Sequence, residues 1–367
     1  MKTIYYLYPI RNKVSFTFIS KQHIRYLREK LQNNVRIIET DVDTFDPSAW
    51  GFNRKLILHP LFYPFFEGVS KEANAKISKL NQCLNKGFKI IAFDTADSDR
   101  ISEKAVDLAN KVEAIIVPSN FAKKAFVDSG VYKPVHVVPH GIPDEFMVNG
   151  KTITHPDLAK LNEIKKKNNF VFVLFQLVHS GGRKGADLFA KAMSIVQKEN
   201  PNVIILAKRL EGLDPYLPLL RQLKCVEVSG YLELDAYRQL YDLSDITVLA
   251  SRGGGFEACS IESLARGVPT IVPEAGCFLD YIKYAIPVKV TKNKPIVLPD
   301  NPIHVGKGWE IDVDELAKTI LKVADNLNKY KRKAKRNMKK IWKEYSWRRI
   351  VDKIIKILIE YDFIKTK

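Results

Sequence analysis

Residues 246–272 read ITVLASRGGGFEACSIESLARGVPTIV, and their order decides the fold. The apolar run ITVLA meets three consecutive glycines. A helix-period segment follows, and Gly267-Val268-Pro269 stops it before a second apolar run, TIV. Strand, glycine turn, helix and strand in this order make a βαβ unit. Glycines admit positive φ and close backbone approach, and the helix start offers free N–H groups to an anion. Glu262 lies one to two turns into that helix, where a carboxylate can accept the paired hydroxyls of a ribose. A tight turn with a solvated glutamate would read the same in isolation, so the surroundings must decide.

The same alternation runs along nearly the whole chain. Short apolar runs at 3–8, 35–39, 55–58, 88–93, 114–117 and 135–138 form a first set of strands. Runs at 170–176, 203–207, 225–228, 246–250 and 270–272 form a second. Helix-period stretches at 18–31, 101–111, 120–129, 185–198, 235–243 and 257–266 lie between them. Runs such as VFVLF and IIAF are apolar throughout, as strands covered on both faces must be. The prediction is an α/β protein with two Rossmann-like, doubly wound parallel-sheet domains facing across a cleft, ligands binding at the carboxyl ends of the strands. The polar stretch 141–169 separates the sets. It sets domains at 1–147 and 148–345, with 346–367 a C-terminal helix able to pack back on the first domain.

Length and composition agree with this division. A chain of 367 residues with 46% hydrophobic and 27% charged residues is globular and long enough for two domains. No run is apolar enough to span a membrane, and the start MKTIYYLYPIRNKVSF does not read as a secretory signal, so a cytoplasmic location is expected. Four scattered cysteines without CxxC spacing argue against a disulfide framework or a cysteine zinc site. The net charge is +18, and residues 301–367, with 18 basic and 9 acidic residues, carry half of it.

A second glycine turn, Ser180-Gly181-Gly182-Arg183-Lys184-Gly185, follows the strand FVFVLFQ. Cations at a helix N-terminus oppose the helix dipole, so Arg183 and Lys184 make best sense with an anion between them. The turn lacks the GxxxxGK[ST] spacing of a P-loop.

These features together resemble the retaining glycosyltransferases of GT-B fold, family 4 type (glycosyl transferases group 1). GGRKG resembles that family's basic phosphate loop, and GGGFEACSIESLARGVPTIV its Glu-x7-Glu segment. GWEIDVDELAKTI with YSWRRIVDKI resembles its closing helices, and AIIVPSNFAKKAFVDSGVYKPVHVVPHGIPDEF the end of its acceptor domain. The resemblance covers residues 88–358. It implies an N-terminal acceptor-side domain and a C-terminal nucleotide-sugar domain. It further implies a metal-independent retaining hexosyltransferase with no cofactor, moving a sugar from a UDP- or GDP-linked donor to a hydroxyl of a glycan, lipid or protein. Glu262 then holds the ribose, Arg183 and Lys184 the diphosphate, and Gly255 and Phe256 the donor sugar. Lys208, ending the strand VIILAK, is a further cation for the phosphates.

Two positions depart from the pattern. The first glutamate of the pair falls on Gly254, with Glu257 as a stand-in catalytic carboxylate. The family's Arg falls on His179, with Arg183 as its replacement. On the acceptor side, IIAFDTADSDR puts Asp94 where relatives often carry a histidine, which makes Asp94 the candidate nearest the reacting atoms. His59 and His140 also end strands, and Arg11 or Lys13 could meet a donor phosphate or an acidic acceptor.

Three other readings compete. Asp97-Ser98-Asp99 is a DxD triplet of the kind that holds a metal in GT-A transferases. Gly253-x-Gly255-x-x-Ala258 fits the dinucleotide fingerprint of an NAD(P)-dependent oxidoreductase, although it follows the fourth strand of its set rather than the first. The charge alone suggests a nucleic-acid binder, but no binding module or aromatic platform accompanies it, so no nucleic-acid partner is expected. The basic stretch 329–343 reads either as a solvated helical face or as a peripheral membrane contact.

Overall fold

A computed structural model describes residues 2–12, 14–67, 71–177, 181–210, 214–291 and 301–365. Lys13 and His179 lie outside the described residues. Contacts divide the chain into two units, one of residues 1–141, 297–307 and 347–367, the other of 142–296 and 308–346.

Unit 1 holds a parallel sheet of β1 (Lys2–Tyr8), β2 (Val35–Asp41), β3 (Lys55–Leu58), β4 (Lys89–Phe93), β5 (Ala114–Val117) and β6 (Val135–Val137), in the order β2-β1-β3-β4-β5-β6. Both faces are covered, which explains the continuous apolar strands. Leu58, Ile90, Ala92 and Ile115 join one core cluster, and Ile4, Ile57, Ile91 and Ile116 the other. The second cluster is completed from the far end of the sequence by Trp347, Ile350, Val351, Ile354 and Leu358 of the helix Trp347–Glu360.

Unit 2 holds β7 (Val171–Leu177), β8 (Val203–Arg209), β9 (Cys225–Val228), β10 (Ile246–Val248), β11 (Thr270–Pro273) and β12 (Ile286–Val288). All pair in parallel, in the order β12-β11-β10-β7-β8-β9. The order reverses between β7 and β10, so their carboxyl ends frame a topological switch point, where open α/β sheets bind ligands. The sequence reading did not find β12. It is three residues long with Pro287 at its centre, and it holds the sheet edge, the one place such a strand is tolerated.

The polar stretch 141–169 is not an unstructured boundary. It contains the helix Pro156–Lys167, whose Leu158 is buried. Arg266 fastens the preceding segment to unit 2 by donating to the carbonyls of Phe146 and Val148 at 2.9 and 2.6 Å. The unit therefore begins at residue 142. Among the described residues no helix is long and apolar enough to cross a membrane.

Candidate donor site at the switch point of the second sheet

The glycine turn after β7 is tightly built. Gly185 has φ +72° and caps the helix Ala186–Glu199, and any Cβ there would strike the carbonyl oxygen of Ala250 behind β10. Only glycine lets the two strand ends approach this closely.

Arg252 laces the two turns together. Its N–H donates to Arg183 O at 2.7 Å and its guanidinium to Gly182 O at 2.7 Å. The same guanidinium grips Asp187, in the first turn of the following helix, through two bonds of 2.6 and 2.8 Å, and reaches Glu310 at 3.1 Å. These carboxylates hold it firmly in its charged form, their bonds outweighing its partial burial. Arg183 answers in the other direction, donating to Gly253 O at 3.0 Å. Sequence reasoning missed Arg252 and Asp187. The only available signal was an arginine directly before the glycine run.

Lys184 Nζ sits 2.7 and 2.5 Å from the two carboxylate oxygens of Glu257, with Ser251 Oγ 3.2 Å from Oε1. The cations that opposed the helix dipole thus meet a carboxylate of the protein itself. Glu257 is buried, and its carboxylate lies beside Gly254. Phe256 packs edge-on against Tyr281, ring centroids 5.9 Å apart.

Glu262 is buried on the helix Ala258–Ala265 and accepts from Tyr241 OH at 2.8 Å. Gln176, near the end of β7, donates to Tyr241 OH at 2.8 Å and accepts from Tyr237 OH at 2.7 Å. Burial raises the Glu262 pKa to about 7 against the relief its tyrosine bonds supply. Tyr237 and Tyr241 stand one helical turn apart and read as core from the sequence, which is why this network was not anticipated. Lys208 is buried at the end of β8, donating to Gly230 O and, at 2.9 Å, to Arg209 O; burial lowers its pKa to about 8.

The remaining candidates belong to unit 1. Asp94 follows β4, where Phe62 N and Thr95 N donate to its carboxylate at 2.6 and 2.7 Å; burial lifts its pKa to about 8. It therefore clamps the loop after β3. His59 is buried beneath Ser20, Oγ to Nδ1 2.8 Å, and stacks 5.7 Å from His23. His140 lies 6.4 Å from the Trp347 ring, its pKa lowered by burial to about 3. Arg11 is exposed and pairs with Asp41 at 3.4 Å.

The DxD triplet has a different use. Ser98 Oγ and Asp99 Oδ1 accept from Gly306 N and Lys307 N at 3.1 and 2.6 Å, and Asp97 N donates to His304 Nδ1 at 3.2 Å. It pins residues 304–307 to unit 1. The dinucleotide fingerprint follows β10, not β7, the first strand of its sheet.

Two all-parallel, six-stranded units, the second with glycine turns at its switch point, have the GT-B fold. Residues 169–326 match the family Glycosyl transferases group 1. A Sulfolobus islandicus rod-shaped virus 1 protein, "Uncharacterized protein 356", is 28% identical over 98% of this chain and 99% of its own. "Putative glycosyltransferase 45" of a Sulfolobus islandicus filamentous virus is 30% identical over 67% of this chain and 66% of its own. The solved structure "Trehalose-6-phosphate from E. coli bound with UDP-2-fluoro glucose" superposes with a TM-score of 0.68 at 10% identity, covering 97% of this chain and 98% of that one. The chain belongs to the group 1 glycosyltransferases, which replaces the oxidoreductase and GT-A readings.

Proposed function

We propose that the protein is a metal-independent retaining glycosyltransferase whose donor is a UDP- or GDP-linked sugar. The observation that carries this is the convergence of Arg183 and Lys184, from the turn after β7, on Gly253 and Glu257, from the turn after β10. Glu262 takes the ribose hydroxyls as a carboxylate. Arg183 and Lys184 bind the diphosphate, with Lys208 as a further cation, and stabilise the leaving group as the glycosidic bond breaks. Gly255 and Phe256 line the sugar, and Glu257 supplies the carboxylate that Gly254 lacks. A diphosphate must compete with Glu257 for Lys184, so donor binding shifts this lysine from one anion to another. The acceptor hydroxyl attacks from the leaving-group face, which retains the anomeric configuration.

Asp94, Arg11, His59 and His140 make up the acceptor-side assignment on unit 1. Asp94 acts there by fixing the loop after β3. The acceptor is a glycan, lipid or protein, and the basic C-terminal helices bring the enzyme to an anionic membrane surface.

A thermal-shift panel of UDP- and GDP-sugars in EDTA tests the donor reading. Stabilisation by one sugar nucleotide, lost in Glu262→Ala and Lys184→Ala, is the expected result. No stabilisation by any of them, or full transfer activity in both variants, overturns it.

A further inference from the structure

The helix Leu327–Tyr345 carries the densest charge in the molecule, and its two faces are sharply divided. Leu327, Tyr330, Ala334, Ile341 and Tyr345 face the protein at spacings of three, four and seven residues, and Trp342 Nε1 donates to Ala265 O at 2.7 Å. Lys329, Arg332, Lys333, Lys335, Arg336, Lys339, Lys340 and Lys343 are exposed along a helix about 28 Å long. No acidic residue shares that face. Glu344, the one acid of the helix, is turned to Tyr284.

A face serving only solubility would alternate signs, because a glutamate four residues from a lysine supports a helix and a second lysine opposes it. Here Lys329–Lys333, Arg332–Arg336, Lys335–Lys339, Arg336–Lys340 and Lys339–Lys343 are all like-charge pairs at that spacing. Among the described residues none of these cations is paired with a carboxylate. The helix thus keeps a repulsion that an external anionic partner would relieve.

The shape of the face selects the partner. It is a broad helical face, with no exposed large apolar side chain on it and its aromatic residues turned inward. A single-strand binder needs a groove with stacking rings, and base recognition favours the arginine fork over the lysine point charge. Lysines predominate here, and a plane of anionic headgroups makes no such geometric demand. Near its start, Asn328, Arg332 and Lys335 line a shallow, open depression beside Lys331, whose ammonium is held by Asp245 at 2.5 Å.

We propose that this outward face docks on a bilayer of anionic phospholipid without inserting into it, an inference that rests on the membrane contact proposed above and assigns it to one helix of unit 2. The full-length protein would be sedimented with vesicles of phosphatidylcholine alone and of equal parts phosphatidylcholine and phosphatidylglycerol. Binding to the mixed vesicles alone is expected, abolished as salt is raised to about 1 M, where screening shortens to about 3 Å. Lys333→Gln, Arg336→Gln, Lys340→Gln and Lys343→Gln combined should weaken partitioning about 100-fold or more. Arg348→Gln, Arg349→Gln, Lys353→Gln and Lys356→Gln combined, the same charge removed from the next helix, should weaken it far less. The sugar-nucleotide thermal shift should stay unchanged in both.

Equal loss in the two variants overturns the assignment to this face but leaves membrane contact standing. No vesicle binding by the unaltered protein overturns both. Displacement from vesicles by duplex DNA, through the same four residues, overturns the lipid in favour of nucleic acid. None of these outcomes touches the donor reading, which the thermal shift reports separately.

Discussion

The carboxylate of Glu257 fills the space that a side chain on residue 254 would enter: a Cβ on Gly254 would stand 2.6 Å from Glu257 Oε1. On the proposed donor reading, the missing glutamate and its neighbour three residues on are alternatives for one position. Gly254→Glu alone should lower donor affinity, because two carboxylates then compete for Lys184. Glu257→Ala should lower it as well. Gly254→Glu in the Glu257→Ala background should recover part of the loss, read by transfer rate and by donor-induced thermal shift. A double variant no better than Glu257→Ala would refute the substitution.

Lys184→Ala removes a charge-assisted contact worth about 1.5–3 kcal/mol, a loss of roughly 10–100-fold in donor affinity. Arg252→Lys should act differently, since a lysine cannot reproduce the two-bond grip on Asp187. Arg252 positions the turn, so its loss should raise KM for the donor more than it lowers kcat. Equal effects on both would instead mark Arg252 as acting on the leaving group.

Glu262 sets a pH dependence with two signs. Its folded-state pKa, about 7, lies above the ordinary carboxylate value because burial disfavours the charge. The associated stability is present below the unfolded pKa and is lost as pH rises through about 7. Glu262→Gln should therefore raise the melting temperature at pH 8 while abolishing the donor shift. In the unaltered protein, donor affinity should fall as pH drops below 7 and the carboxylate takes up its proton. Isothermal titration across pH 6–8 checks this.

His23 and His59 work in the opposite sense. Both are buried, with pKa values pushed well below the ordinary histidine value, chiefly by desolvation; His140 adds to the shift in both, and His59 to that of His23. Their contribution to unit 1 is present above the unfolded pKa of about 6.5 and is lost on acidification. Denaturant stability should decline as pH falls from 6.5 toward 4, and less steeply in a His59→Asn variant. An unchanged slope in that variant would show that the carboxylates dominate.

Gly185→Ala should prevent the turn after β7 from closing, through both its φ of +72° and the collision with Ala250 O. Gly150→Ala is the control, with φ +82° but open space around its Cβ. It should cost only the backbone term, about 1–2 kcal/mol, and spare the donor thermal shift. Thermal melts of the two variants, with and without donor, make the comparison.

Much of this was legible from residue order. Two-sided burial makes strands such as VFVLFQL apolar throughout, and glycine has to stand where Ala250 O approaches, so both the sheets and the turns left a mark on the sequence. What escaped was long-range or short. Arg252 meets Asp187 across 65 residues, and nothing in the spacing of an arginine and an aspartate marks such a pair. Tyr237 and Tyr241 carry the helical period of ordinary core, so their hydroxyls gave no signal. β12 is three residues long with a proline at its centre, so it left no strand signal, and an edge is where such a strand is tolerated. Asp97-Ser98-Asp99 has the letters of a metal motif, yet its acceptors are spent on backbone N–H groups of a segment some 200 residues away.

Such remote partners also complete the cores of unit 1. Unit 1 draws Ile303 into one core cluster and Trp347, Ile350, Val351, Ile354 and Leu358 into the other. On the ribosome, the first 141 residues emerge long before these side chains exist, and the apolar surfaces they cover stay open until residues 303 and 347–358 have been made. A fragment ending at residue 141 would lack these side chains and leave the apolar surfaces they cover exposed. A soluble, isolated first unit would have to be spliced from three separated stretches of the reading frame.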